Sequence, residues 1–84
     1  MLKVLFFARV KEQLDCAGLD LEWHENLRSF SGLESQLFKL KGEPWAAVLA
    51  EENIIRALNQ TVVEVDARIC DGDEVAYFPP VTGG

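Results

Sequence analysis

The sequence holds one histidine, one methionine, one tyrosine and two cysteines, and these scarcities remove most enzymatic readings at once. His24, in the segment WHEN, has no second metal-ligand candidate spaced to help it and no serine and aspartate set to join, so it reads as a surface turn residue. Cys16 and Cys70 stand 54 positions apart without a second pair, which makes neither a four-thiolate metal site nor a redox CxxC. Two free, partly buried thiols are expected. No glycine-rich phosphate loop is present. No apolar run approaches the roughly 20 residues that a bilayer requires. The opening MLKVLFFARVKEQ lacks the basic flank and cleavage site of a signal peptide, so a cytoplasmic protein without a membrane partner is expected. Positive charge is scarce too: eight basic against fourteen acidic residues give a net charge of −6. Phosphate backbones and anionic lipid are repelled by such a chain, which argues against nucleic acid and for a protein partner with a basic docking surface.

What remains is an ordinary globular composition, 49% apolar and 26% charged, over 84 residues. That length supports one domain with one modest core, burying about 60% of the unfolded surface. Residues 2 to 8, LKVLFFA, alternate as a strand with Leu2, Val4 and Phe6 on one face and Leu5 and Phe7 on the other. A turn at Ala17 and Gly18 leads to a second strand, LDLEW, and the pair reads as a hairpin. From Ser29 to Leu40 the period changes, with Phe30, Leu33, Leu37 and Leu40 at helical spacing and Gly42 and Pro44 as stops. Trp45 to Ala50 suits a short helix or a strand and is read as a strand, joined through Glu51 to Asn53 to IIRAL. Asn59 and Gln60 turn the chain into VVEV, Asp71 to Asp73 form another turn, and EVAYF is the last strand. The acidic pairs Glu51 with Glu52 and Asp71 with Asp73 have no apolar bracket to raise a pKa, so they read as solvated turn residues. The order predicts an α+β domain with one main helix across one mixed sheet, its first and last strands adjacent at the centre.

The domain is expected over residues 1–78, and residues 79–84 form a tail of unusual make-up. Pro79 and Pro80 fix φ and keep the path extended, Val81 and Thr82 follow, and Gly83 and Gly84 have no Cβ, so the last carboxyl group can pass through a channel too narrow for side chains. Six residues span roughly 20 Å when extended. The reactive group of such a tail is the α-carboxylate of Gly84, which becomes useful once it is activated, for example as an acyl adenylate.

In KVLFFA at Lys3 to Ala8, ALNQTVV at Ala57 to Val63 and above all DGDEVAYFPPVTGG at Asp71 to Gly84, the chain resembles the β-grasp, ubiquitin-like sulfur carriers, most closely the small subunits of molybdopterin synthase. The resemblance implies that an E1-like adenylyltransferase, consuming ATP, activates Gly84. Sulfur from a donor such as a cysteine desulfurase or rhodanese then gives a thiocarboxylate. It further implies that Pro79, Pro80, Val81, Thr82 and Gly83 insert into the large subunit, where the sulfur passes to cyclic pyranopterin monophosphate, and that two copies of each subunit form a heterotetramer. No bound cofactor or metal is implied. Phe7, Phe78 and Val62 are candidates for the partner interface. Sibling carriers serving thiamine or tRNA thiolation, ubiquitin-like modifiers that end in an isopeptide bond, and an inert binding module remain the alternatives.

Overall fold

The computed structural model describes residues 1–51 and 53–80. Strand β1 (Leu2–Phe6) is followed by helix α1 (Ala8–Leu14), strand β2 (Gly18–Leu21), a 3-10 turn at Glu25–Arg28 and helix α2 (Phe30–Lys41). Helix α3 (Glu43–Leu49) and strands β3 (Ile55–Leu58), β4 (Thr61–Val63) and β5 (Glu74–Phe78) complete the described chain. The five strands form one mixed sheet in the order β2-β1-β5-β3-β4. The central pair β1 and β5 runs parallel and every other pair antiparallel, which places the first and last strands side by side as expected.

All three helices cover the face that carries Leu2, Val4, Phe6, Val75 and Tyr77, and these side chains are almost completely buried. Among the described residues no helix lies on the other face of the sheet. An aromatic cluster fixes the covered side: Phe6 stacks on Tyr77 at 5.8 Å and meets Trp45 edge-on at 5.1 Å, while Phe30 meets Tyr77 edge-on at 6.3 Å. The Ser29 hydroxyl accepts from the Gly32 N–H at 3.0 Å and so caps α2. Gly32 is required there, because a Cβ would lie 1.8 Å from the Asn26 carbonyl oxygen. Leu33 and Leu37 then face inward with no exposed surface, and Gly42, at φ 89°, breaks the helix and starts the next.

Four elements differ from the sequence expectation. The connection between β1 and β2 contains a helix rather than a tight hairpin turn, because Val10 and Leu14, four residues apart, reach the core together. The stretch Trp45 to Ala50, expected as a strand, forms the end of α3 and its cap at Ala50, where Pro44 suits the first helical turn and Trp45 and Leu49 bury one face. Strands β2 and β4 also stop short of LDLEW and VVEV, at Leu21 and Val63, where their sheet partners end. Among the described residues no helix is long and apolar enough to cross a membrane.

Candidate functional site

Strand alternation sends every second residue to the uncovered face of the sheet, and the register decides which of them meet. Leu5 lies opposite Ala76, Ala76 opposite Ala57, and Ala57 opposite Val62, so one row crosses the sheet as large, small, small, large. The next row holds Phe78 opposite Ile55, with Phe7 just beyond the end of β1. Two alanines between bulkier neighbours leave a shallow concavity of about 590 Å³: Ala57 and Ala76 form its floor, Leu5, Phe7, Val62 and Phe78 its apolar walls, and Gln60 and Glu74 its polar rim.

The predicted interface residues Phe7, Val62 and Phe78 thus line one surface. Phe7 is 48% exposed and Val62 66%, and with Leu5 and Phe78 they form a contiguous apolar patch rather than scattered single side chains. Phe7 and Phe78 share the concavity without stacking on one another; the ring pairs formed by the described residues all lie on the covered face. Phe7 is held at the sheet end by its N–H, which donates to the Tyr77 carbonyl at 3.1 Å, and the following Ala8 takes φ 53° as the chain turns into α1. Strand β5 ends at Phe78, and Pro79 and Pro80 continue from it, partly buried. Val81, Thr82, Gly83 and Gly84 lie outside the described residues.

On the covered side of the same strands lies a polar network that sequence reasoning missed. Arg56 reaches Glu34 of α2 with two hydrogen bonds, Nε to Oε2 at 2.8 Å and Nη2 to Oε1 at 3.2 Å. The Tyr77 hydroxyl donates to the same Oε2 at 2.9 Å, and the guanidinium lies over the Tyr77 ring at 5.8 Å. The Glu34 carboxylate holds the Arg56 pKa above its ordinary value, and burial pushes the Tyr77 phenol well above 10.0. Arg56 and Tyr77 are paired in register, so the network ties α2 to the end of β5, one residue before Phe78. Only the facing parity of Arg56 and Tyr77 in their strands could have signalled it.

The remaining chemistry-bearing groups are dispersed. His24 is exposed ahead of the 3-10 turn, Cys70 is exposed, and the partly buried Cys16 thiol donates to the Gly18 carbonyl at 3.4 Å. Asp71 pairs with the amino terminus at 2.7 Å, and Asp73 accepts from the Asn59 carboxamide and the Cys70 N–H, so both serve the turn they occupy. Glu51 lies 3.6 Å from Arg9, and Glu52 is outside the described residues. Among the described residues no group of acidic, histidine and cysteine side chains is placed to hold a metal ion.

Comparison with known proteins accords with this geometry. The molybdopterin synthase sulfur carrier subunit of Escherichia coli is 43% identical over 86 residues, with the whole of both chains covered. The SAMP1 protein of Haloferax volcanii shares the fold at a TM-score of 0.75 with 19% identity, covering 99% of this chain and 98% of that one. A complex of subunits 1 and 2 of the molybdopterin-converting factor of Helicobacter pylori contains a chain at a TM-score of 0.65 and 23% identity, with 99% and 97% covered. The model of the ThiS family matches residues 4–84, and on that match and its full-length relatedness to a molybdopterin synthase sulfur carrier subunit the chain belongs to the ThiS family.

Proposed function

We propose that this chain carries sulfur as a thiocarboxylate on the α-carboxyl group of Gly84 and, within a molybdopterin synthase, delivers it to cyclic pyranopterin monophosphate to build the molybdopterin dithiolene. The observation that carries the reading is the end of β5: Phe78 stands on the open apolar face, and the chain passes there directly into Pro79 and Pro80. The start of the tail and an exposed aromatic surface therefore share one edge. A large subunit that draws residues 79–84 into its cleft must rest against this face, and Phe7, Val62 and Phe78 are its anchors.

The chemistry belongs to the tail and the partners. In an adenylyltransferase the Gly84 carboxylate attacks the α-phosphorus of ATP, pyrophosphate leaves, and an acyl adenylate remains. Persulfide sulfur of a cysteine desulfurase or rhodanese attacks the acyl carbon and expels AMP, and a thiol then cleaves the resulting acyl disulfide, leaving the thiocarboxylate and a disulfide. In the large subunit the thiocarboxylate sulfur bonds to the pterin and water cleaves the acyl–sulfur bond, which restores the Gly84 carboxylate, so two charged carriers supply the two sulfurs, in an assembly of two copies of each subunit in the cytoplasm. The chain needs no cofactor and no catalytic side chain for this role, and its platform has only to present the tail.

The test is to prepare the protein with a thiocarboxylate at Gly84, mix it with the cognate large subunit and cyclic pyranopterin monophosphate, and assay dithiolene product. Product with loss of the terminal sulfur is expected, and deletion of Gly84 or extension beyond it is expected to abolish transfer with the fold unchanged. Sulfur transfer by the extended protein would refute the role of Gly84. Attachment of the activated terminus to lysine amines instead would make the chain a modifier.

A further inference from the structure

We propose that Gln60 is a specificity-determining contact of the open face, whose carboxamide hydrogen-bonds a backbone peptide group of the docked large subunit; this rests on the docking reading above. Asn59 and Gln60 form the two-residue loop between β3 and β4, closed by the Leu58 and Thr61 pair, and their φ angles are 50° and 69°. Positive φ at both central residues defines the type I′ turn, which favours asparagine first and glycine second. Asn59 obeys the rule and has a further task in the monomer: its carboxamide donates to Asp73 at 3.1 Å and accepts from the Glu74 N–H at 3.0 Å. Gln60 does neither. Its Cβ makes the left-handed backbone costly, its side chain is exposed, and among the described residues its carboxamide has no hydrogen-bond partner.

A glycine would serve the isolated fold better, so the monomer supplies no reason for a glutamine. The location supplies one. Gln60 sits on the rim of the concavity walled by Leu5, Phe7, Val62 and Phe78. Backbone strain held at the edge of a binding surface points to a side chain retained for contact. Interfaces combine an apolar centre with a polar rim, and Gln60 and Glu74 supply that rim here. A neutral carboxamide offers donors and an acceptor together, which matches a peptide group and gives register rather than long-range attraction.

The full-length protein, its Gln60→Gly and Gln60→Ala variants and a Phe78→Ala control should be compared by melting midpoint and by calorimetric titration with the cognate large subunit. Gln60→Gly is expected to melt a few degrees higher, because the Cβ is gone, yet to bind about three- to tenfold more weakly. Gln60→Ala keeps the Cβ, so it should lose the same affinity without the gain in midpoint. If both Gln60 variants bind within about twofold of the parent while Phe78→Ala is weakened, the role of Gln60 is refuted and the docking face stands. If Phe78→Ala also binds like the parent, the docking face fails and Gln60 with it. A Gln60→Gly protein that melts lower than the parent would overturn the strain argument.

Discussion

At the scale of single residues, the covered and open faces of β5 do different work, and Tyr77 shows it most directly. Its phenol is wholly buried and donates to Glu34, and its pKa lies well above 10.0 because burial penalises the phenolate. Below pH 10 the phenol is neutral in both folded and unfolded chains, so its full contribution to stability is present. As pH rises above that value the unfolded chain releases the proton and the folded one keeps it, so stability falls through the alkaline range. Since Tyr77 is the only tyrosine, phenolate absorbance reports this one group. Phenolate should form together with global unfolding, seen in parallel by circular dichroism. Ionisation near pH 10 in a protein that remains folded would show that the burial and the Glu34 bond do not hold the proton.

At the scale of elements, Gly32 sets two local rules against each other. Alanine in a helix interior is favoured over glycine by about 1 kcal/mol. Here its Cβ would meet the Asn26 carbonyl, which belongs to the 3-10 turn packed on α2, and overpacking of this kind costs about 1–3 kcal/mol. The clash should win, so Gly32→Ala is expected to lower unfolding stability in urea, with an unchanged slope; a more stable variant would mean the turn can move away without loss. The same competition explains what was legible in the sequence. Helix α2 could be read because Ser29, the three and four residue spacing and Gly42 all agree. Helix α3 could not, since WAAVLA is a short apolar run that suits either period, and only Pro44 at its first turn spoke for a helix. Helix α1 brings only Val10 and Leu14 inward, too few for a pattern. On the open face, alternation pointed to Phe7 and Phe78 and the matched ALNQTVV stretch to Val62, whereas the alanine floor needed the strand order and register. The contacts of Glu34 with Arg56 and Tyr77 span 22 and 43 residues, and no local pattern encodes such a meeting.

At the scale of the whole molecule, the net charge of −6 lies almost entirely outside the residues that line the apolar concavity, and the sequence from Pro79 to Gly84 contains no charged side chain. Glu74 is the one acidic residue among those lining the concavity, and the next row of the sheet holds Asp20, Lys3 and Glu74 in register. On the docking proposed above, the two tasks of recognition are separated. In the proposed docking, long-range attraction to a basic partner falls to the acidic body, and short-range hold to Phe7, Val62, Phe78 and the tail. Salt screens the first and leaves the second, because the screening length falls from about 30 Å at 0.01 M to about 3 Å at 1 M. Association with the large subunit is therefore expected to slow by about tenfold or more as salt is raised across that range, with dissociation changed far less. Stopped-flow mixing against salt concentration measures both rates. A rate of association indifferent to salt would mean that the acidic body does not steer the encounter, and that the apolar face alone must find its partner.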